Sequence, residues 1–97
     1  MSRLDKTKTL MQANKIQREL KKQVIRVEKG DGAVVVEMNG EQKLKKIHID
    51  PSFVDLEDIE QLERWLEDAI RDAVNQSQRF AAEKMQPIMG SLGSLGL

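Results

Sequence analysis

The chain predicts an α+β domain: a helix, a three-stranded antiparallel meander, a short helical turn and a long second helix. Three observations carry that prediction. Residues 3–22 contain no Gly or Pro and place apolar side chains at helical spacing. Two turn signals, Gly30-Asp31-Gly32 and Asn39-Gly40, then bracket the apolar run from Ala33 to Met38. Finally, Asp50 can cap a helix and Pro51 suits its first position, ahead of a long amphipathic stretch.

The first helix is read over residues 3–22. Its apolar positions are Leu4, Leu10, Met11, Ala13, Ile16 and Leu20, and the 13/16/20 spacing continued at Val24 makes a narrow stripe. From Gln23 the period changes to a β-branched, partly alternating pattern, so strands are read over 24–29, 33–38 and 43–50. The middle strand is apolar enough to be covered on one or both faces. Asn39-Gly40 is the preferred pair for a two-residue type I′ hairpin turn. In the third strand Ile47 and Ile49 share a face while Leu44 falls out of phase, which predicts a bulge or a start near Lys45. Residues 51–54 form one helical turn, with a break near Asp55.

The second helix is read over residues 56–85. Ile59, Leu62, Leu66, Ala69, Ala73 and Phe80 make one stripe, which skips only Gln76 or Ser77; Ile70, Val74, Ala81 and Met85 make a second beside it. An arc that wide has two surfaces to satisfy, its own sheet and something else. Glu57, Asp58 and Glu60 suit the start of this helix, and Arg79 and Lys84 its end. Residues 1–86 thus make a single domain, and 87–97, with their Gly-Ser-Leu steps, a flexible tail.

Ninety-seven residues bury only roughly 60–65% of their unfolded surface, and the aromatics are limited to Phe53, Trp65 and Phe80. Long helices over so thin a core favour a homodimer. There is no cysteine, hence no disulfide framework or thiolate metal site. The N-terminus leads into polar sequence, and no run approaches the ~20 apolar residues that cross a bilayer. A cytoplasmic protein without membrane contact is expected.

The formal net charge of zero conceals segregation. Residues 1–29 carry nine Lys and Arg against three acids, whereas residues 51–97 carry four against nine. Residues 30–50 are close to balance, with three against four. Such asymmetry suits either a polyanion at the basic end or complementary packing between two copies.

In its ordered set of short motifs the chain resembles the YbaB/EbfC family of bacterial nucleoid-associated proteins. The resemblance is carried by Gln12-Ala13, Gly30-x-Gly32 before an apolar strand, Asn39-Gly40, Ile49-Asp50-Pro51-Ser52, Leu62-Glu63, Ala69 and Asp72-Ala73. It spans about residues 10–86. It implies a cytoplasmic, nucleoid-associated homodimer shaped like tweezers, which binds double-stranded DNA with little sequence specificity and serves nucleoid organisation or gene regulation without catalysis. The arms associated with DNA binding in that family correspond here to the first helix and the end of the second. Two departures stand out: the link from Pro51 to Leu62 is about one residue longer, and the Met/Gly-rich ends are reduced to a short Gly/Leu tail.

The candidate DNA-binding residues are Lys8, Lys15, Arg18, Lys21, Lys22, Arg79 and Lys84, with Lys6 close by. Positions 8, 15, 18 and 22 recur at steps of seven, three and four, along one helix face. Lysines and arginines so placed neutralise phosphates and release counterions, which gives affinity without base readout. Lys43, Lys45 and Lys46 are better explained as edge-strand lysines that block unwanted pairing. The candidate dimer interface is Ile59, Leu62, Trp65, Leu66, Ala69 and Ala73, with Trp65 bordering the seam. His48 has no neighbouring ligands at metal-binding spacing. The carboxylates Glu57, Asp58, Glu60, Glu67 and Asp68 lie on a polar helix face with no accompanying nucleophile. Gly30-x-Gly32 joins two strands and lacks the Lys-Ser/Thr of a phosphate loop. No enzyme, cofactor, metal or small-molecule substrate is expected. The alternative is a small dimeric adaptor whose helices dock a protein partner; salt separates the two, since phosphate binding weakens steeply with ionic strength and apolar docking does not.

Overall fold

Helix α1 (Arg3–Lys22) opens the chain, as its unbroken helical spacing requires. The computed structural model describes residues 3–94, with side chains described for residues 6–89. After α1 come strands β1 (Ile25–Lys29), β2 (Val34–Met38) and β3 (Leu44–Ile49). A 3₁₀ turn (Pro51–Phe53) and helix α2 (Ile59–Ser94) complete the element order. The strands form an antiparallel meander in the order β1-β2-β3. The α+β prediction holds, and the strands lie within one residue of the expected bounds.

The sheet has one apolar side because the register brings apolar partners together. Val34 pairs with Ile49, Val36 with Ile47 and Met38 with Leu44, and Ile25 and Val27 complete the same side from β1. The expected bulge is present: Glu37 pairs with Lys46 but Met38 with Leu44, so Lys45 is left over. That extra residue returns Leu44 to the apolar side, which explains its phase in the sequence. Helix α2 lies across β1 and β2, with Ala69 and Ala73 fully buried against Val34 and Val36. A helix approaches a sheet this closely only where its contact residues are small. Edge strand β3 is left uncovered by α2.

Trp65 packs over the β1–β2 turn, not on α1. Gly30 adopts φ +64°, and a Cβ there would fall 2.7 Å from the indole ring. On the same flank of α2, Asp72 holds Lys29 of β1 at 2.7 Å. The hydrogen bond and charge of Asp72 raise the Lys29 pKa above the ordinary lysine value. The pair therefore contributes below that value and is lost as pH rises through the raised one.

Two expectations are corrected. First, Asn39-Gly40 is not a type I′ turn, since neither residue has a positive φ; Gln42 (φ +64°) takes the left-handed position instead. The hairpin closes with Gln42 N–H on the Asn39 carbonyl at 3.2 Å and Asn39 N–H on the Lys43 carbonyl at 3.0 Å. Second, α2 starts three residues later than expected and runs through Pro87 to Ser94, where a flexible tail was read from residue 87. Pro87 costs α2 a backbone hydrogen bond. Burial of Ile88 against Ile16 and Leu20 of α1 offsets that loss and carries the helix onward. Residues 95–97 of the expected tail lie outside the described residues.

The residue missing from the α2 stripe is Ser77, fully buried and polar by necessity. Its hydroxyl donates to the Asn39 carbonyl at 2.8 Å and accepts the Gln42 N–H at 3.1 Å. Buried Asn39 in turn accepts from Glu41 N–H at 2.8 Å and Lys43 N–H at 3.1 Å, and donates to the Lys21 carbonyl at 3.5 Å. Gly40 N–H donates to the Leu20 carbonyl at 2.7 Å. One loop thereby ties the C-terminus of α1 to the middle of α2.

The 3₁₀ turn is capped as read, with Asp50 accepting from Ser52 N–H at 3.0 Å and Ser52 hydroxyl at 2.7 Å. Both bonds stabilise the carboxylate and hold the Asp50 pKa below the usual aspartate value. A depressed carboxylate contributes above its unfolded pKa, so the cap persists at neutral pH and is lost as pH falls through the lowered value. In an NMR titration the Ser52 amide shift should therefore move only below the ordinary aspartate range; a midpoint within or above that range would contradict the cap.

Candidate nucleic-acid interface

Helix α1 is fixed by one narrow face. Ile16 and Leu20 are buried, with Ala13 beside them, against Phe80, Ala81, Met85 and Ile88 of α2. The two helices run antiparallel and extend past the sheet as an arm, giving the molecule extents of 65 × 20 × 15 Å. Among the described residues of α1 that stripe alone is buried, and the flanks stay exposed.

Lys8, Lys15, Arg18 and Lys22 are all exposed on one flank, and none forms an ion pair among the described residues. At 1.5 Å rise per residue the line from Lys8 to Lys22 is about 21 Å long. That is more than half of the ~34 Å turn of a DNA duplex. Lys21 is exposed too, but one residue is a step of about 100° around the helix, so it stands off this line. Lys6 is also exposed.

The two α2 cations differ from each other. Arg79 is exposed and unpaired among the described residues. Lys84 is half-buried, 3.4 Å from Glu19 of α1 and 5.6 Å from the centre of the Phe80 ring. It bridges the two helices, so part of its charge is spent within the chain. Beside it a shallow groove is lined by Gln12, Lys15, Ile16, Glu19, Pro87 and Ile88.

The acids occupy the other end. Glu57 and Asp58, in the linker just before α2, and Glu60, Glu63, Glu67 and Asp68, on the half of α2 that covers the sheet, are all exposed, and Asp58 accepts Gln61 N–H at the helix start. The sequence dipole is thus a spatial one, with a cationic arm and an acidic body. The open face of the sheet is mixed in sign: Arg26 pairs with Glu28 at 2.8 Å, and Glu37 lies opposite Lys46 beside His48. Lys43, Lys45 and Lys46 are exposed on the edge strand, as expected of residues that guard an edge. No group of three or more metal-ligating side chains occurs among the described residues, and none of their helices is long and apolar enough to cross a membrane.

The residues read as a dimer seam are divided. Ala69 and Ala73 are fully buried on the chain's own sheet, and Leu62, Trp65 and Leu66 are half-buried on the same core. Only Ile59 is exposed. A different apolar surface is open. Leu44 and Ile47 of β3, Phe53 of the 3₁₀ turn, Leu56 of the linker and Ile59 are all exposed large hydrophobics, Leu56 at 83%. Half-buried Ile70 and Val74, from the second α2 stripe, face outward less than these. The period-two pattern of Ile47 and Ile49 was a visible signal for this surface, but its exposure follows from β3 lying at the sheet edge.

Comparison with known proteins gives a consistent result. The model of the YbaB/EbfC DNA-binding family matches residues 1–92. A nucleoid-associated protein of Chloroflexus aurantiacus is 40% identical over 84 residues, which cover 87% of this chain and 84% of that protein. One from Moorella thermoacetica is 37% identical over 84% of this chain and 78% of its own length. Another, from Corynebacterium jeikeium, is 33% identical over 99% of both. Among solved structures, an uncharacterised protein from Helicobacter pylori has the same fold, with a TM-score of 0.76 at 22% identity over 86% of this chain and 87% of that one.

Proposed function

The chain belongs to the YbaB/EbfC DNA-binding family, a nucleoid-associated and non-enzymatic one, and from that premise we propose that it acts as a homodimer gripping duplex DNA with its cationic arms. The grip is through phosphates, with little sequence specificity, in nucleoid organisation or gene regulation. The observation that carries this reading is the exposed line of Lys8, Lys15, Arg18 and Lys22 on α1, unpaired among the described residues. Flexible cations on an exposed helix flank match backbone phosphates, and contacts to phosphates fix register without carrying sequence information. The acidic body repels the duplex and confines it to the arm.

The second copy covers the surface formed by Leu44, Ile47, Phe53, Leu56 and Ile59. Exposed apolar side chains on an uncovered edge strand and on the turn and linker that follow it favour burial against another chain. Charges of opposite sign accompany this surface: Lys43 precedes β3 and Lys45 and Lys46 lie on it, while Asp55, Glu57 and Asp58 lie in the linker and Glu60 at the start of α2. A two-fold contact sets the lysines of one copy against the acids of the other.

The test is anisotropy of a labelled ~30 bp duplex titrated at several salt concentrations, beside a variant carrying Lys15→Gln, Arg18→Gln and Lys22→Gln. Each phosphate contact contributes about −0.9 to the slope of log affinity against log salt. Three contacts removed from each of two copies should flatten that slope by about five and weaken binding at low salt at least a hundredfold. Equal binding by the variant would move the site away from α1. No binding by the parent at low salt would defeat the DNA reading and favour docking of a protein partner.

A further inference from the structure

The cationic line on α1 has a fifth member that is not a cation. Residues 8, 11, 15, 18 and 22 succeed one another at steps of three, four, three and four, so they form one continuous row on the helix. Four are Lys or Arg, and the second is Met11. Met11 is 66% exposed, although methionine is ordinarily a core residue. It takes no part in the packing of α1 on α2, which uses Ala13, Ile16 and Leu20. Leu10 is equally exposed but stands about 100° away, among Lys6, Asn14 and Gln17.

Resting on the DNA reading above, we propose that Met11 is a wedge that enters the duplex between two base pairs, so that the arm kinks DNA as well as holding it. The row itself selects the occupant. Lys8 and Lys15, one turn either side of Met11, recruit phosphates of a polyanion, and a helix so anchored brings Met11 against a groove. There the apolar edges of sugars and partly unstacked bases are the surfaces a thioether can cover. Unbranched, polarizable methionine adapts to an irregular gap between bases. Apolar side chains inserted at a base step unstack it and bend the duplex, and pyrimidine–purine steps yield most readily. The wedge thus provides a preference for deformable sequence in a protein whose other contacts are indifferent to sequence.

The test uses the full chain, with Met11→Gln and Met11→Leu beside the parent. Gln keeps length and helix propensity but removes the apolar tip. One ~30 bp duplex carries repeated TA steps, 2-aminopurine at one of them and an energy-transfer pair at its ends; a second duplex has only A-tract and G·C segments. The parent should bind the TA duplex several-fold more tightly, raise the 2-aminopurine signal and shorten the end-to-end distance. Met11→Leu should retain all three. Met11→Gln should keep its salt slope and stay within about threefold of parental affinity for the second duplex, while losing the TA preference and the bend. Tight parental binding without distortion overturns the wedge and leaves phosphate binding intact, as does a Met11→Gln variant that bends like the parent. A change of oligomeric mass in Met11→Gln assigns the side chain to a contact between copies and also overturns it. Absence of parental binding at low salt defeats both readings together.

Discussion

Gly40→Ala should lower the free energy of unfolding by about 2–3 kcal/mol, at the upper end of what one inserted methyl costs in a packed site. The added Cβ would lie 2.9 Å from the Leu20 carbonyl oxygen and 3.0 Å from the Leu20 Cα. Both are backbone atoms, so no side chain can swing aside. Either α1 moves off the loop or the loop moves off Ser77, and both motions break hydrogen bonds among buried groups. In urea the transition midpoint should fall by about 0.7–3 M with the slope unchanged, since small proteins lose roughly 1–3 kcal/mol per molar. Gly32→Ala is the control. Gly32 has φ +93° with no atom near its absent side chain, so only the backbone penalty of about 1–2 kcal/mol applies. If Gly40→Ala were as stable as the parent, the loop would not hold α1 as described.

The pair Phe53→Ser and Leu56→Ser should convert a dimer into a folded monomer. Both side chains are exposed within one chain, at 48% and 83%, so their loss leaves the protomer core intact. In a two-fold interface each counts twice, and four buried side chains are worth at least about 6 kcal/mol at 1.5 kcal/mol each. The dissociation constant should therefore rise by about four decades or more. Sedimentation equilibrium at micromolar concentration should show twice 11.1 kDa for the parent and 11.1 kDa for the variant. A monomeric parent would defeat the two-armed grip, whereas a dimeric variant would place the interface elsewhere.

Local periodicity predicted most of the fold because the signals were local. A narrow 13/16/20 stripe suffices to dock α1, and α1 spans the predicted residues. Leu44 out of phase with Ile47 called for either a bulge or a strand starting near Lys45, and the structure has the bulge, with Lys45 as the extra residue. The turn at Asn39-Gly40 failed for a physical reason. The Asn-Gly pair was read as φ-driven, yet Gly40 is required by its approach to Leu20 and the positive φ passes to Gln42. Such a requirement depends on a residue twenty positions away, so no local rule detects it. Residues from 87 onward were read as a tail for the same kind of reason, because Gly-Ser-Leu steps argue against a helix until the burial of Ile88 on α1 is known.

By itself the sequence determined the element order, the split of charge between a basic start and an acidic end, and the spacing that lines Lys8, Lys15, Arg18 and Lys22 along one flank. These follow from residue type and from the periods of helix and strand, which act over a few residues. Tertiary structure alone decided which apolar residues were already spent. Ala69 and Ala73 close the chain's own core, whereas Leu44 and Ile47 stay open because β3 is the edge and α2 does not reach it, and Phe53 and Leu56 stay open on the turn and linker that follow. It likewise separated Lys84, held by Glu19, from Lys8, Lys15, Arg18 and Lys22 of α1, which have no ion pair among the described residues. Burial and pairing are properties of what lies across the fold from a residue, and that neighbour is distant in sequence.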